Sequence, residues 1–106
     1  MLDIDIETAP LEALGRLCQI AKRNTCQARR VANLLLAWHN AEENGGWDPA
    51  DFWNVDTAIA EDMLAVLKLA KNSHSYPEDL GFEPEIKAIW RLWRGESIEP
   101  PEAEDE

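Results

Sequence analysis

Residues 24–46 read NTCQARRVANLLLAWHNAEENGG, and the periodicity of this stretch decides the fold. Ala28, Val31, Leu35, Trp38 and Glu42 recur at spacings of three and four, and Leu34 with Ala41 widens the same stripe. That period belongs to an amphipathic helix with one face in a core. Asn24 or Thr25 supplies an N-cap, with Gln27, three residues after Asn24, as a capping-box partner. The helix ends at Gly45-Gly46, where a left-handed C-cap is cheapest for glycine. About seventeen residues at 1.5 Å each make a rod of roughly 25 Å.

The same logic extends towards both ends of the chain. Upstream, Thr8 caps a helix that carries Pro10 in its first turn and Leu11, Leu14, Cys18 and Ala21 on one stripe, running to about Lys22. Downstream, Asp48-Pro49-Ala50-Asp51 opens a short helical piece, and Asp56 begins a longer helix with Ile59, Met63, Val66, Leu67 and Ala70 inward. That helix stops at Asn72-Ser73. A single turn from Ser75-Tyr76-Pro77-Glu78 closes at Gly81. The last helix follows, with Ile86, Ile89, Trp90 and Trp93 at i, i+3, i+4 and i+7 and Gly95 as its terminator. Residues 3–7, DIDIE, alternate like a strand, but one short strand without a partner makes no sheet. The expected fold is therefore all-α: a single-domain bundle of about four main helices plus two short helical turns.

Length and charge bound the rest. One hundred and six residues suffice for one domain. The net charge of -11 is concentrated at the ends: Asp3, Asp5 and Glu7 in an acidic arm at 1–7, and six acids without a base in ESIEPPEAEDE at 96–106. The helical domain at 8–95 has twelve acids against ten bases. With two prolines and repelling charges, the C-terminal segment is expected to be a disordered tail. Inside the domain the signs segregate. Arg16, Lys22, Arg23, Arg29 and Arg30 stand without an acid across 13–41, whereas Glu42, Glu43, Asp48, Asp51, Asp56, Glu61 and Asp62 stand without a base across 42–62. Two such blocks are expected to face each other or to form solvated faces.

A mean hydropathy of -0.41 and the absence of a long apolar run predict no membrane span. MLDIDIETAP lacks the basic and apolar regions of a signal peptide, so a cytoplasmic protein with two reduced thiols, Cys18 and Cys26, is expected.

The run RRVANLLLAWHNAEENGGWDPADFWNVDTAIAEDMLAVLKL, with SYPEDLG and the closing IWRLWR, resembles an uncharacterised family of small proteins encoded on bacterial plasmids and integrative elements. The likeness spans residues 29–94, most of the helical body. It implies a mobile-element setting and transfers no catalytic or binding residue.

Catalytic equipment is sparse, and the expectation is a non-enzyme without cofactor or metal. The two imidazoles, His39 and His74, pair with a cysteine in no known motif. Asp48, Asp51 and Asp56 gather near helix starts, but DPADFWNVD lacks the alternating ligands, sixth-position glycine and twelfth-position glutamate of a calcium loop. Gly45-Gly46 lacks the Lys-Ser/Thr of a phosphate loop. Trp38, Trp90 and Trp93 fall on stripe positions and are expected in the core. Trp47 and Phe52-Trp53 either staple a loop onto the second helix or project from it, and aromatics beside acids suit a protein interface.

The expected function is thus a non-catalytic protein-interaction module binding through Trp47, Asp48, Asp51, Phe52, Trp53 and Asp56. One alternative is a nucleic-acid mimic that inhibits a host defence system of the restriction or CRISPR type. Another is a small helical DNA-binding protein using Arg16, Lys22, Arg23, Arg29 and Arg30, which an isoelectric point near 4.5 disfavours.

Overall fold

The computed structural model describes residues 8–95; the acidic arm expected at 1–7 and the tail expected at 96–106 lie outside the described residues. Four α-helices follow in chain order: α1 Thr8–Ala21, α2 Cys26–Asn44, α3 Thr57–Ser73 and α4 Glu83–Trp90. Short 3-10 helices, Pro49–Asn54 and Pro77–Leu80, join α2 to α3 and α3 to α4. No strand occurs among the described residues, so the protein is all-α as the periodicity predicts.

Helix α1 packs along both α2 and α3, and α4 crosses the α1–α2 pair. Leu14, Leu17 and Cys18 of α1 meet Val31, Leu35 and Leu36 of α2, Met63 and Val66 of α3, and Ile86 and Ile89 of α4 in one buried cluster. The small residues Ala13 and Ala21 are also buried on α1, which suits a helix lying between two others. No helix among the described residues is long and apolar enough to cross a membrane.

Local chemistry accounts for the ends of the helices and corrects several expectations. Thr25, not Asn24, caps α2: it is extended (φ -138, ψ 165) and its hydroxyl accepts from the Ala28 amide at 2.9 Å. Gln27 does not fold back as a capping-box partner. It reaches across the molecule to Asp56 instead.

Nor is α2 one continuous rod. Asn40 is extended (φ -166, ψ 87), and its Oδ1 accepts from the Glu43 amide at 3.3 Å. It thereby acts as an N-cap for a final turn over 41–44, using the competition with the backbone that makes asparagine a poor mid-helix residue. Gly45 has the positive φ expected of it (91°), but its ψ of 162° lies in the extended region open essentially to glycine alone.

Helix α3 stops at Ser73, as expected, and the C-cap His74 adopts the left-handed conformation (φ 54, ψ 33) that glycine usually supplies. Helix α4 was expected to run regularly to Gly95, yet it widens into a π turn over Arg91–Gly95. There Trp93 donates its indole N–H to the Ala21 carbonyl at 2.7 Å, and Trp38 donates to Ser75 O at 3.0 Å. Both pack against the core as expected. Trp90 does not: it is 40% exposed.

The segregated charges do face each other in part. Arg16 grips Asp62 through two bonds of 2.8 and 2.9 Å, tying α1 to α3, and Asp62 holds the guanidinium further above its ordinary pKa. Arg30 pairs with Asp51 at 2.6 Å, and Lys22 with Glu85. Two of the five bases thus meet two of the seven acids.

The two thiols differ sharply. Cys18 is fully buried, and burial pushes its pKa from near 9 up to about 12, Glu85 adding to the shift and Lys22 opposing it. Cys26 is exposed in the first turn of α2. A chromogenic disulfide reagent is therefore expected to titrate one thiol in the native protein and the second only in denaturant; two equally fast native thiols would contradict the packing. Because the folded pKa of Cys18 is raised, its contribution to stability is complete below pH 9 and declines as pH rises towards 12. Cys18→Ala is expected to flatten that alkaline decline.

Candidate functional site

The loop after Gly46 is built to hold its shape. Asp48 caps the first 3-10 helix by accepting from the Ala50 amide at 2.9 Å, and Pro49 follows where a missing donor does no harm. Trp47 and Phe52 meet edge to face, with centroids 5.2 Å apart and planes at 88°, and both pack partly buried against the core. Asn54 donates back to the Ala50 carbonyl at 3.2 Å.

Two side chains of α2 fasten this segment to the bundle. The Arg30 guanidinium meets the Asp51 carboxylate, which is only 8% exposed. Gln27 accepts the Asp56 amide on its Oε1 at 2.6 Å and approaches the Asp56 carboxylate with its Nε2 at 3.5 Å. Asp56 occupies the N-cap position of α3 but makes no side-chain cap bond there. Its first call is on Gln27.

Between these fastenings stands Trp53, 84% exposed. The six residues singled out from the sequence therefore divide by role. Trp53, Asp48 and Asp56 are at the surface. Trp47 and Phe52 are half-buried and brace the segment from beneath. Asp51 lies inside with Arg30 and offers little surface for contact, so among the six it serves to hold the segment: a carboxylate beside a semi-buried guanidinium is held inward by that charge.

Sequence reasoning missed Gln27 and Arg30 as the residues that set the geometry. The opposed charge blocks signalled Arg30. Nothing in the local pattern signalled Gln27, whose partner lies 29 residues away.

The remaining polar groups lie elsewhere. His39 shares its Nδ1 with Glu78 Oε2 at 2.9 Å, His74 closes α3, and among the described residues no three His, Cys, Asp or Glu side chains gather to hold a metal.

These features define a small all-α protein with one clamped, outward-facing aromatic edge. It belongs to the family of unknown function DUF7673, whose model matches residues 11–94, nearly the whole described body. No curated protein and no solved structure matches the chain.

Proposed function

We propose that this protein is a non-catalytic interaction module that docks on another protein by inserting Trp53 into an apolar pocket, with Asp48 and Asp56 on the rim. The observation that carries the reading is the 84% exposure of Trp53 on a segment whose neighbours are all fastened. An indole left in water without need is unfavourable, and a rigid one loses little entropy when a partner covers it. Tryptophans in such positions dominate binding energies. The family resemblance adds a mobile-element setting to the proposal.

The ion pairs weigh against both alternatives. Asp51 and Asp62 are neutralised by Arg30 and Arg16, which thins the acidic block available for imitating phosphates. The same contacts occupy two of the five bases a DNA-binding surface would use.

The test is capture of a partner from the host cell by the full chain, followed by titration of that partner. Trp53→Ala is expected to weaken the complex about tenfold or more while leaving thermal stability unchanged, since a hot-spot truncation exceeds about 1.4 kcal/mol. Equal affinity in the variant would end this reading. A steep loss of wild-type affinity with salt would favour the phosphate mimic over an aromatic contact.

A further inference from the structure

A cleft of about 360 Å³ opens between the end of α2 and α4, and its lining comprises His39, Glu43, Ile86, Lys87, Trp90 and Arg91, with no residue of the Trp53 edge among them. The volume lies in the range of small-molecule sites. Its residues come from two regular registers. Ile86, Lys87, Trp90 and Arg91 share one face of α4 and its π turn, and His39 and Glu43 stand four apart across the break at Asn40.

The chemistry of this lining is specific. Trp90 donates its single N–H to Asn44 Oδ1 at 3.1 Å, so the indole is fixed in orientation and has only its ring face to offer. Gly95 lies against the indole so closely that a Cβ there would come within 3.3 Å of Trp90 Cζ3. Buried Ile86 makes an apolar floor. Lys87 and Arg91 set two cations one turn apart. Lys87 touches Glu83 only at 3.5 Å in an exposed pair worth little, and among the described residues Arg91 has no carboxylate partner. His39 commits one ring nitrogen to Glu78, which leaves the other for a second partner. Glu43 is an exposed acceptor at the same mouth.

A ligand that meets Trp90, Glu43, Lys87 and Arg91 together has a flat ring to stack on the indole, an N–H donor for Glu43 and an anion for Lys87 and Arg91. We infer that the cleft binds a nucleoside monophosphate, with its base on Trp90 and its phosphate between Lys87 and Arg91. Aromatic stacking tolerates any base, and the exocyclic amine selects those that carry one.

The experiment follows the indole N–H signals of the ¹⁵N-labelled full chain while adenosine monophosphate, adenosine, inorganic phosphate and a short oligodeoxyadenylate are added separately. Trp90→Phe identifies the Trp90 signal. Adenosine monophosphate is expected to shift it saturably with a Kd of about 1 mM or tighter, and adenosine and phosphate to bind at least about tenfold more weakly. Lys87→Ala with Arg91→Ala, both at exposed positions, is expected to weaken the nucleotide about tenfold or more without lowering the melting temperature. Trp53→Ala is expected to leave it unchanged, which separates this site from the docking edge. Absence of a saturable Trp90 shift, equal binding of phosphate alone, or undiminished binding by the doubly substituted chain would overturn the assignment. Binding of the oligonucleotide alone would overturn it too, in favour of a single strand.

Discussion

Asp51→Ala is expected to lower the stability of the protein by about 2–4 kcal/mol, read as a fall in the urea midpoint at unchanged slope. The carboxylate is nearly buried, and Arg30 beside it is 27% exposed. Without Asp51, the guanidinium is left in a poorly hydrated position, and its Nε already lacks a partner. A fully buried broken pair costs about 3–5 kcal/mol, and the partial exposure of Arg30 puts this one somewhat lower. Asn in place of Asp51 keeps an acceptor oxygen without the charge and should recover about half the loss. The double substitution Arg30→Met with Asp51→Leu should come close to wild type, because removing both charges removes the desolvation penalty with the attraction. A cost below about 1 kcal/mol for Asp51→Ala would mean that the pair behaves like an exposed one. The first 3-10 helix would then be held by Trp47, Phe52 and Gln27 instead. The consequence for function is indirect but testable: Asp51→Ala should weaken partner binding although Asp51 is almost wholly covered.

That pair also shows what the sequence does and does not disclose. The helices were legible because their apolar residues repeat at the helical period and their caps are local: Thr25 reaches three residues, and Asp48 two. Tertiary partners are a different matter. Segregated charge says that bases and acids meet, but not that Arg16 takes Asp62 while Arg30 takes Asp51. Choosing among seven acids requires the crossing geometry of the helices, which periodicity does not contain. Asp51 was placed among docking residues because its neighbours Phe52 and Trp53 are aromatic, and in a 3-10 helix adjacent residues point in directions about 120° apart. One faces the core, the next the brace, the third the solvent. Trp90 failed for the opposite reason. Its stripe position is helical and inward, but the π turn that follows and the gap left where α2 breaks at Asn40 keep it at the margin of the core. Breaks of this kind depend on single side-chain hydrogen bonds, and no periodic signal records them.

The break makes Asn44 the second position where one substitution should have a large effect. Asn44 is 8% exposed and joins three pieces of the fold. Its Nδ2 donates to the Leu36 carbonyl at 3.1 Å, bridging the interruption at Asn40. The Oδ1 accepts from Trp90, and the backbone carbonyl accepts from Arg94 Nε at 3.2 Å, while Arg94 also reaches Asn33 Oδ1 at 2.7 Å. Asn44→Ala removes a side-chain donor from the Leu36 carbonyl and the acceptor of a partly exposed indole, so it is expected to cost about 2–3 kcal/mol. Asn44→Asp is the sharper probe. The introduced carboxylate still accepts from Trp90, but its other oxygen opposes the Leu36 carbonyl, and both burial and that oxygen disfavour ionisation. The Arg94 guanidinium beside the Asn44 backbone carbonyl pulls the other way, and the folded pKa is expected above the unfolded value, near 4, to the extent that burial and the opposed carbonyl exceed that pull. Stability in this variant is therefore best retained below about pH 4, where the protonated acid can donate to Leu36, and is lost as pH rises through the folded pKa. Denaturation of the wild type and the variant across pH 3 to 7 should show a widening gap. A constant gap would mean that the Leu36 bond contributes little, and that Asn44 serves chiefly to orient Trp90.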